Sequence, residues 1–333
     1  MFARRRPMLE LRARLTQATR RFFDDRAFLE VDTPALQVSP GLEPHLTAFA
    51  TELVSADRQS RWPLYLHTSP EFAMKKLLAA GLPRIYQLCH VFRNAERAST
   101  HHPEFTMLEW YRTGGYAGIL EDAAALMAGL AELSGKETVS WNGIVCDLTQ
   151  TPEIVTVQEA FRRYADGLDL LATAGDLGAL AAEAGRIHVR VGEGDRWDDL
   201  ALRIIAERIE PRLGAGRPSF LTEYPVAMGA LARPKPDDGR VVERVELYVC
   251  GVELANGFGE LTDAAEQRRR FAADMDLKQE LYGERYPIDE DFLAALEHGL
   301  PDCAGMALGF DRLIMLLAGA SRIDDVLWLP VAG

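Results

Sequence analysis

The 333-residue chain is poor in lysine, in cysteine and in long apolar runs, and each shortage closes off a class of protein. Only Lys75, Lys76, Lys136, Lys235 and Lys278 stand among 37 basic residues, against 50 acids and a net charge of −13. A protein that captures RNA by bulk electrostatics presents a broad basic face. Here arginines cluster only locally, at Arg4, Arg5 and Arg6, at Arg20 and Arg21, and at Arg268, Arg269 and Arg270, so tRNA binding is not expected. The four cysteines, Cys89, Cys146, Cys250 and Cys303, form no CxxC pair and no zinc spacing. Reduced, buried thiols in a cytoplasmic protein are the expectation. No window approaches the roughly 18 unbroken apolar residues of a membrane span, and the basic start has no apolar run behind it, so no secretory signal is expected.

What is present is a balanced globular composition, 48% hydrophobic and 26% charged, enough for a substantial core. Residues 9–28 carry Leu11, Leu15, Ala18, Phe22 and Phe23 at helical spacing. Residues 29–31 read as a short strand stopped by Asp32-Thr33-Pro34. Residues 64–68 read as another strand, and 71–78 as a helix opened by Ser69 as N-cap with Pro70 at the first helical position. A helix over 118–133 leads to a connector at 134–150. A looser segment, 151–215, holds helices near 156–165, 174–184 and 197–210. Strands return at 219–224, 241–249 and 251–258 around a turn at 234–239, followed by a helix over 264–281. This order predicts an α+β fold with a mostly antiparallel sheet flanked by helices. A dinucleotide-binding fold would need strand–helix alternation and a glycine-rich first turn, and neither occurs.

The densest chemistry lies at 92–112, Phe-Arg-Asn-Ala-Glu-Arg-Ala-Ser-Thr-His-His-Pro-Glu-Phe-Thr-Met-Leu-Glu-Trp-Tyr-Arg. It reads as strand, polar loop and strand, with Arg93 fixed at a sheet surface. A planar, permanently charged fork suits a phosphate there. Glu246 and Glu253 share a second strand-like stretch. Ideal alternation sends a seven-residue separation to opposite faces, although Gly251 offers a turn or bulge that re-aims the second acid. Two acids meeting at one point call for a cation, and Mg²⁺ with ATP phosphates is the natural one. Two solvated edge acids remain the plainer alternative. His101 and His102 are adjacent, point apart on a strand and have no third ligand nearby, so zinc is not expected.

Residues 92–112 resemble motif 2 of the class II aminoacyl-tRNA synthetases, in the lysine-handling branch. The helix, short strand and proline near the N-terminus resemble motif 1, the family's dimer element, which implies a homodimer. Gly-Met-Ala-Leu-Gly-Phe-Asp-Arg at 305–312 resembles motif 3, and Thr68-Ser-Pro-Glu71 the TSPE element. Gly-Val-Glu-Leu-Ala-Asn-Gly-Phe-Gly-Glu-Leu at 251–261 resembles the lysyl pattern G-x-E-[IL]-x-N-G-F-x-E-L. The resemblance implies a single catalytic domain over 1–333, with a helical insertion at about 151–215. It implies that Arg93 and Arg312 carry catalysis by holding the α- and γ-phosphates of ATP. Asn94, His101, Phe105 and Gly309 would complete the nucleotide site, and Glu246 and Glu253 would hold Mg²⁺. For the amino acid it implies Glu71 on an amine, Glu109 and Tyr111 along the pocket, Asn256 on the carboxylate, and Glu260 on the distal ammonium.

With motif 1 beginning at about residue 9, an anticodon-binding domain ahead of it is not expected. Ala307, where the tRNA enzymes carry glycine, would shape the amino-acid end of the pocket, and the two features together resemble the branch that modifies translation elongation factor P. That branch implies ATP-dependent activation of (R)-β-lysine or lysine and transfer to a lysine ε-amine of the factor. A stripped-down tRNA-charging enzyme and a non-catalytic lysine- or nucleotide-sensing paralogue stay open. The departures from motif 2 are Ala95 in the usual acid position with Glu96 after it, Ser99 and Thr100 where a basic residue precedes the histidine, and His102 in place of an asparagine. Arg97 could replace the missing basic contact.

Overall fold

A computed structural model describes residues 2–229 and 231–331. The chain divides into two compact units, one of Met1–Gly115 with Thr262–Gly333 and one of Tyr116–Leu261.

The first unit opens with helix α1 (Phe2–Asp24) and the short strands β1 (Leu29–Glu30) and β2 (Leu36–Gln37). The hairpin β3 (Phe49–Val54) and β4 (Arg61–Leu66) follows, then α2 (Glu71–Ala79), β5 (Arg84–Phe92) and β6 (Glu104–Thr113). Helix α1 starts earlier than the apolar spacing indicates. Arg5 is buried there, donating to the carbonyls of Asp325 and Trp328, so arginines extend a helix that hydrophobic periodicity alone does not mark. Pro70 occupies the N-cap of α2 itself, one position before the expected one, and the Ser69 hydroxyl still accepts from Glu71 N at 3.0 Å.

The second unit begins with α3 (Ala117–Ser134) and the hairpin β7 (Thr138–Trp141) and β8 (Ile144–Asp147). That hairpin occupies the expected connector. Asn142 and Gly143 both take positive φ, the two-residue turn that Asn-Gly favours between strands. Next come β9 (Glu153–Thr156), α4 (Val157–Tyr164), α5 (Leu177–Arg186) and α6 (Trp197–Ile204). Strands β10 (Ser219–Pro225), β11 (Pro234–Lys235), β12 (Asp238–Val249) and β13 (Val252–Gly259) complete the unit. Their order is β13-β12-β10-β9, with β11 on β12. All pair antiparallel except β9 on β10. Phe161, Leu200 and Ile204 from the helices meet Leu221, Tyr224 and Val242 from the strands in one core. Cys146 and Cys250, both buried, lie near enough to act on each other electrostatically, a proximity their sequence spacing hides, and Cys250 Sγ donates to Val139 O at 3.6 Å.

The chain returns to the first unit through α7 (Ala264–Tyr282), α8 (Glu290–Gly299), β14 (Cys303–Gly309) and α9 (Phe310–Ala318). Asp263 caps α7 by accepting from Ala265 N and Glu266 N, and Gly283 ends it in the left-handed conformation. Strands run β1-β5-β6-β14, parallel only between β1 and β5. Strand alternation divides the labour of this sheet. Tyr86, Trp110 and Met306 form one cross-strand row, and Phe23 of α1 stacks on Tyr86 at 4.7 Å. One residue further along, Gln87, Glu109 and Ala307 form a row on the opposite face. Phe72, Phe271 and Phe292 pack α2, α7 and α8 together, Phe72 and Phe292 stacking at 4.7 Å.

Candidate active site

In the first unit, the polar row of the sheet meets the start of α2. Glu109 is buried, accepting from Tyr111 OH at 2.5 Å and Ser69 Oγ at 2.7 Å. Burial, and then the charge of Glu71, push its carboxyl up to about 8. Glu71 is itself buried and paired with the buried Lys75 one helical turn on. Ala307 lies directly across from Glu109 in β14, and Gly305 across from Tyr111. Directly opposed residues project to the same face, so the Ala307 methyl borders the Glu109 carboxyl. Glu71, Glu109, Tyr111 and Ala307, expected around an amino acid, are thus brought together.

The motif 2 loop and α9 form a neighbouring cationic group. Arg93 donates to Thr68 O at 3.4 Å and sits over the Phe105 ring, 5.3 Å from its centroid. Arg312 lies in the first turn of α9, after Gly309, and donates to His101 Nε2 at 2.6 Å and to Thr100 O. Burial, followed by the Arg312 charge, lowers the His101 pKa, so a neutral ring accepts from the guanidinium. His102 turns away and receives Val331 N on Nε2. Asn94 is exposed, its backbone N–H donating to Thr47 O. Ala95 is also exposed with φ at +62°, and Glu96 acts electrostatically on His101. Arg97 is held by Asp324 at 3.2 Å.

In the second unit, Cys250 and Gly251 turn the chain with positive φ at both, and a bulge at Leu254 shifts the register of β13 against β12. Tyr248 therefore faces Glu253, and Glu246 faces Asn256. The irregularity cancels the odd spacing and puts Glu246, Glu253 and Asn256 on one face. Arg244 donates to Glu246 Oε1 at 2.7 Å and Tyr248 OH to Oε2 at 2.6 Å, so the carboxylate is oriented. Arg244 also lies 4.4 Å over the Tyr224 ring. Burial and then Glu246 push the Tyr224 and Tyr248 phenols well above their ordinary range, and Glu253 adds to both. The Asn256 amide oxygen is buried without a hydrogen-bond partner among the described residues, and Glu260 is buried at the end of β13. The oriented Glu246 carboxylate, with Glu253 on the same face, fits Mg²⁺, which takes oxygen ligands and retains waters. Among the described residues no group of three or more His, Cys, Asp or Glu could hold a metal ion. The donor set therefore suits a cation that completes its shell from phosphate and water.

A family model for class II tRNA synthetases (D, K and N) matches residues 3–332. The chain belongs to the class II tRNA synthetase family. It is 43% identical to the elongation factor P–(R)-β-lysine ligase of Edwardsiella ictaluri, over 96% of this chain and 94% of that protein. It is 41% identical to the ligase of the same name from Klebsiella pneumoniae, over 98% and 95%, and 42% identical to that of Pseudoalteromonas translucida, over 97% and 95%.

Within this class II synthetase, several residues at the clusters carry no role in the sequence reading. Lys75 was findable, since a lysine four residues after Glu71 on a helix is a standard ion-pair spacing. Arg244 was findable too, two residues before Glu246 on the same strand face. Glu43 had no local signal, because only the tertiary fold takes it to Glu71. Among the described residues no helix is long and apolar enough to cross a membrane.

Proposed function

We propose that this synthetase-family chain is a ligase. In this reading it activates (R)-β-lysine, or lysine, with ATP as an aminoacyl-adenylate and transfers it to the ε-amine of a lysine on elongation factor P. The observation that carries the reading is the buried acidic cluster of Glu71 and Glu109, with Tyr111 bonded to Glu109 and Ala307 paired across the sheet from it. Buried carboxylates call for a cationic ligand, and a methyl in place of a hydrogen reshapes the end next to Glu109. The named relatives, aligned over nearly the whole chain, support the same reading.

The amino-acid carboxylate attacks the α-phosphorus and displaces pyrophosphate. Arg93 neutralises the α-phosphate and Arg312, steadied by His101, the γ-phosphate. Such steps are driven by positioning and by preorganised charge, so adenylation needs no dedicated base. Asn94, Phe105 and Gly309 complete the nucleotide site. Glu246 and Glu253 would hold Mg²⁺, which when bound neutralises phosphate charge. Glu71 and Glu109 receive amines, Asn256 the carboxylate and Glu260 the distal ammonium. The acceptor amine, in its neutral form, then attacks the acyl carbon and expels AMP. We read the whole chain, 1–333, as one catalytic domain with an insertion at about 151–215, acting in the cytoplasm as a homodimer.

Intact-mass analysis of elongation factor P incubated with the protein, Mg-ATP and either amino acid tests this, alongside gel analysis of tRNA. The expected result is a gain of one lysyl group on the factor, with tRNA uncharged. Charged tRNA and unmodified factor would make it a reduced tRNA synthetase. No product and no pyrophosphate would point to a sensing protein.

A further inference from the structure

The loop between β2 and β3 delivers a third acid to the amine pocket. Glu43 lines the same cavity as Ser69 and Glu71. Its Oε2 oxygen is buried and accepts no hydrogen bond among the described residues. The approach is built for it. Gly41 has φ at +124°, and a Cβ there would come within 2.9 Å of Glu43 Oε2 and 2.6 Å of Thr68 Oγ1. Glycine leaves the space the carboxylate uses.

The loop is also pinned on several sides. Thr68 N and Oγ1 both donate to Pro40 O at 2.9 Å. The buried Lys278 of α7 donates to Pro44 O and Leu46 O at 3.0 and 2.8 Å, and Tyr286 OH accepts from Ala48 N at 2.9 Å. A loop fixed this firmly holds the acid in place rather than letting it swing to water. Burial, then Glu71, raise the Glu43 pKa, with Arg93 and Lys75 opposing. Three acids crowd around Lys75, an arrangement that costs stability until a further cation arrives.

We propose that Glu43 is a substrate-binding residue that, with Glu71, receives the ammonium on the β-carbon of the amino acid. Its nearness to Arg93, the arginine assigned to the α-phosphate, places it at the carboxylate end of the substrate and away from the distal amine. The assignment rests on the ligase reading above for the identity of the ligand.

Calorimetric binding of (R)-β-lysine and of 6-aminohexanoic acid, which lacks only the β-amine, tests it in wild type, Glu43→Gln and Glu43→Asp. Glu43→Gln is expected to weaken β-lysine by about 10- to 100-fold, as for losing one charged hydrogen bond, and to leave 6-aminohexanoate within about twofold. Its melting temperature should hold or rise, since a crowded charge is removed, and Glu43→Asp should recover part of the affinity. Equal losses for both ligands, no loss, a lower melting temperature for Glu43→Gln, or a wild type that binds neither compound would overturn the proposal. Pyrophosphate release is measured in parallel. Its absence in a wild type that binds β-lysine would sink the ligase reading and leave the role of Glu43 standing.

Discussion

Ala307 and Glu109 face each other across β14 and β6, so one methyl borders the carboxyl that an amine must reach. A methyl in a pocket is typically worth about 1–3 kcal/mol of discrimination. Ala307→Gly is therefore expected to move the ratio of α-lysine to β-lysine activation about tenfold or more toward α-lysine, read by pyrophosphate exchange with each. Glu109 itself makes binding pH-dependent. Its carboxyl sits at about 8 through burial and the charge of Glu71, so at pH 7 it is largely protonated in the ligand-free protein. An ammonium favours the carboxylate and drives the proton off. Affinity should tighten as pH rises from 6 to 8, and calorimetry in buffers of different ionisation enthalpy should show proton release; no proton exchange would refute this. For stability the sign is the reverse. A folded pKa raised above the unfolded carboxylate value gives stability that is complete below that value and is lost as pH rises toward 8. Glu109→Gln should abolish that loss in thermal melts. The residue types were legible in the sequence, but the displaced pKa was not, since it comes from burial and from Glu71, nearly forty residues distant in the chain, against the opposing hydrogen bonds of Tyr111 and Ser69.

At the level of elements, α1 and α9 are joined through one buried ion pair. Arg12 pairs with Asp311, reaches Thr106 Oγ1 at 2.7 Å and donates to Val326 O, while Asp311 also accepts from Thr106 N at 2.7 Å. Asp311 immediately precedes Arg312, so this network sets the first turn of the helix that aims the phosphate-binding arginine. Removing one partner leaves a buried charge alone, at a cost of about 3–5 kcal/mol. Arg12→Ala should lower the melting temperature sharply and reduce pyrophosphate exchange in the surviving fold. An unchanged melting point would mean that the pair is dispensable. Most helices and strands were legible from apolar spacing and capping residues. The hairpin at β7 and β8 was legible too, in Trp141-Asn142-Gly143-Ile144, but reads as a connector when short strands are weighed by length alone. The bulge at Leu254 was not legible, because a register shift is set by the partner strand.

Over the whole molecule, most arginines of the basic clusters are engaged by acids of the same chain. Arg4 pairs with Asp325, Arg6 with Glu10, Arg20 with Glu30, Arg268 with Glu290, and Arg269 and Arg270 with Glu266. With a net charge of −13, tRNA should not be retained in gel-shift assays even at low salt. Salt-sensitive retardation of tRNA would contradict this, because phosphate contacts weaken steeply with ionic strength. Sedimentation should give twice the chain mass of 37.0 kDa if the motif 1 resemblance extends to assembly; a monomer at micromolar concentration would refute the dimer.

The sequence by itself determined the family, the alternation of elements and the identity of nearly every charged group at the site. Those rest on short-range order, namely helical and strand spacing and runs such as residues 92–112 and 251–261. Tertiary structure decided which acids share a face, which are buried, and which acquire partners. Glu246 and Glu253 meet because a turn and a bulge cancel seven residues of alternation. Glu43 joins Glu71 because Lys278 and Thr68 pin its loop there. Charge and residue type are local properties of a chain, whereas burial and proximity exist only once distant segments pack.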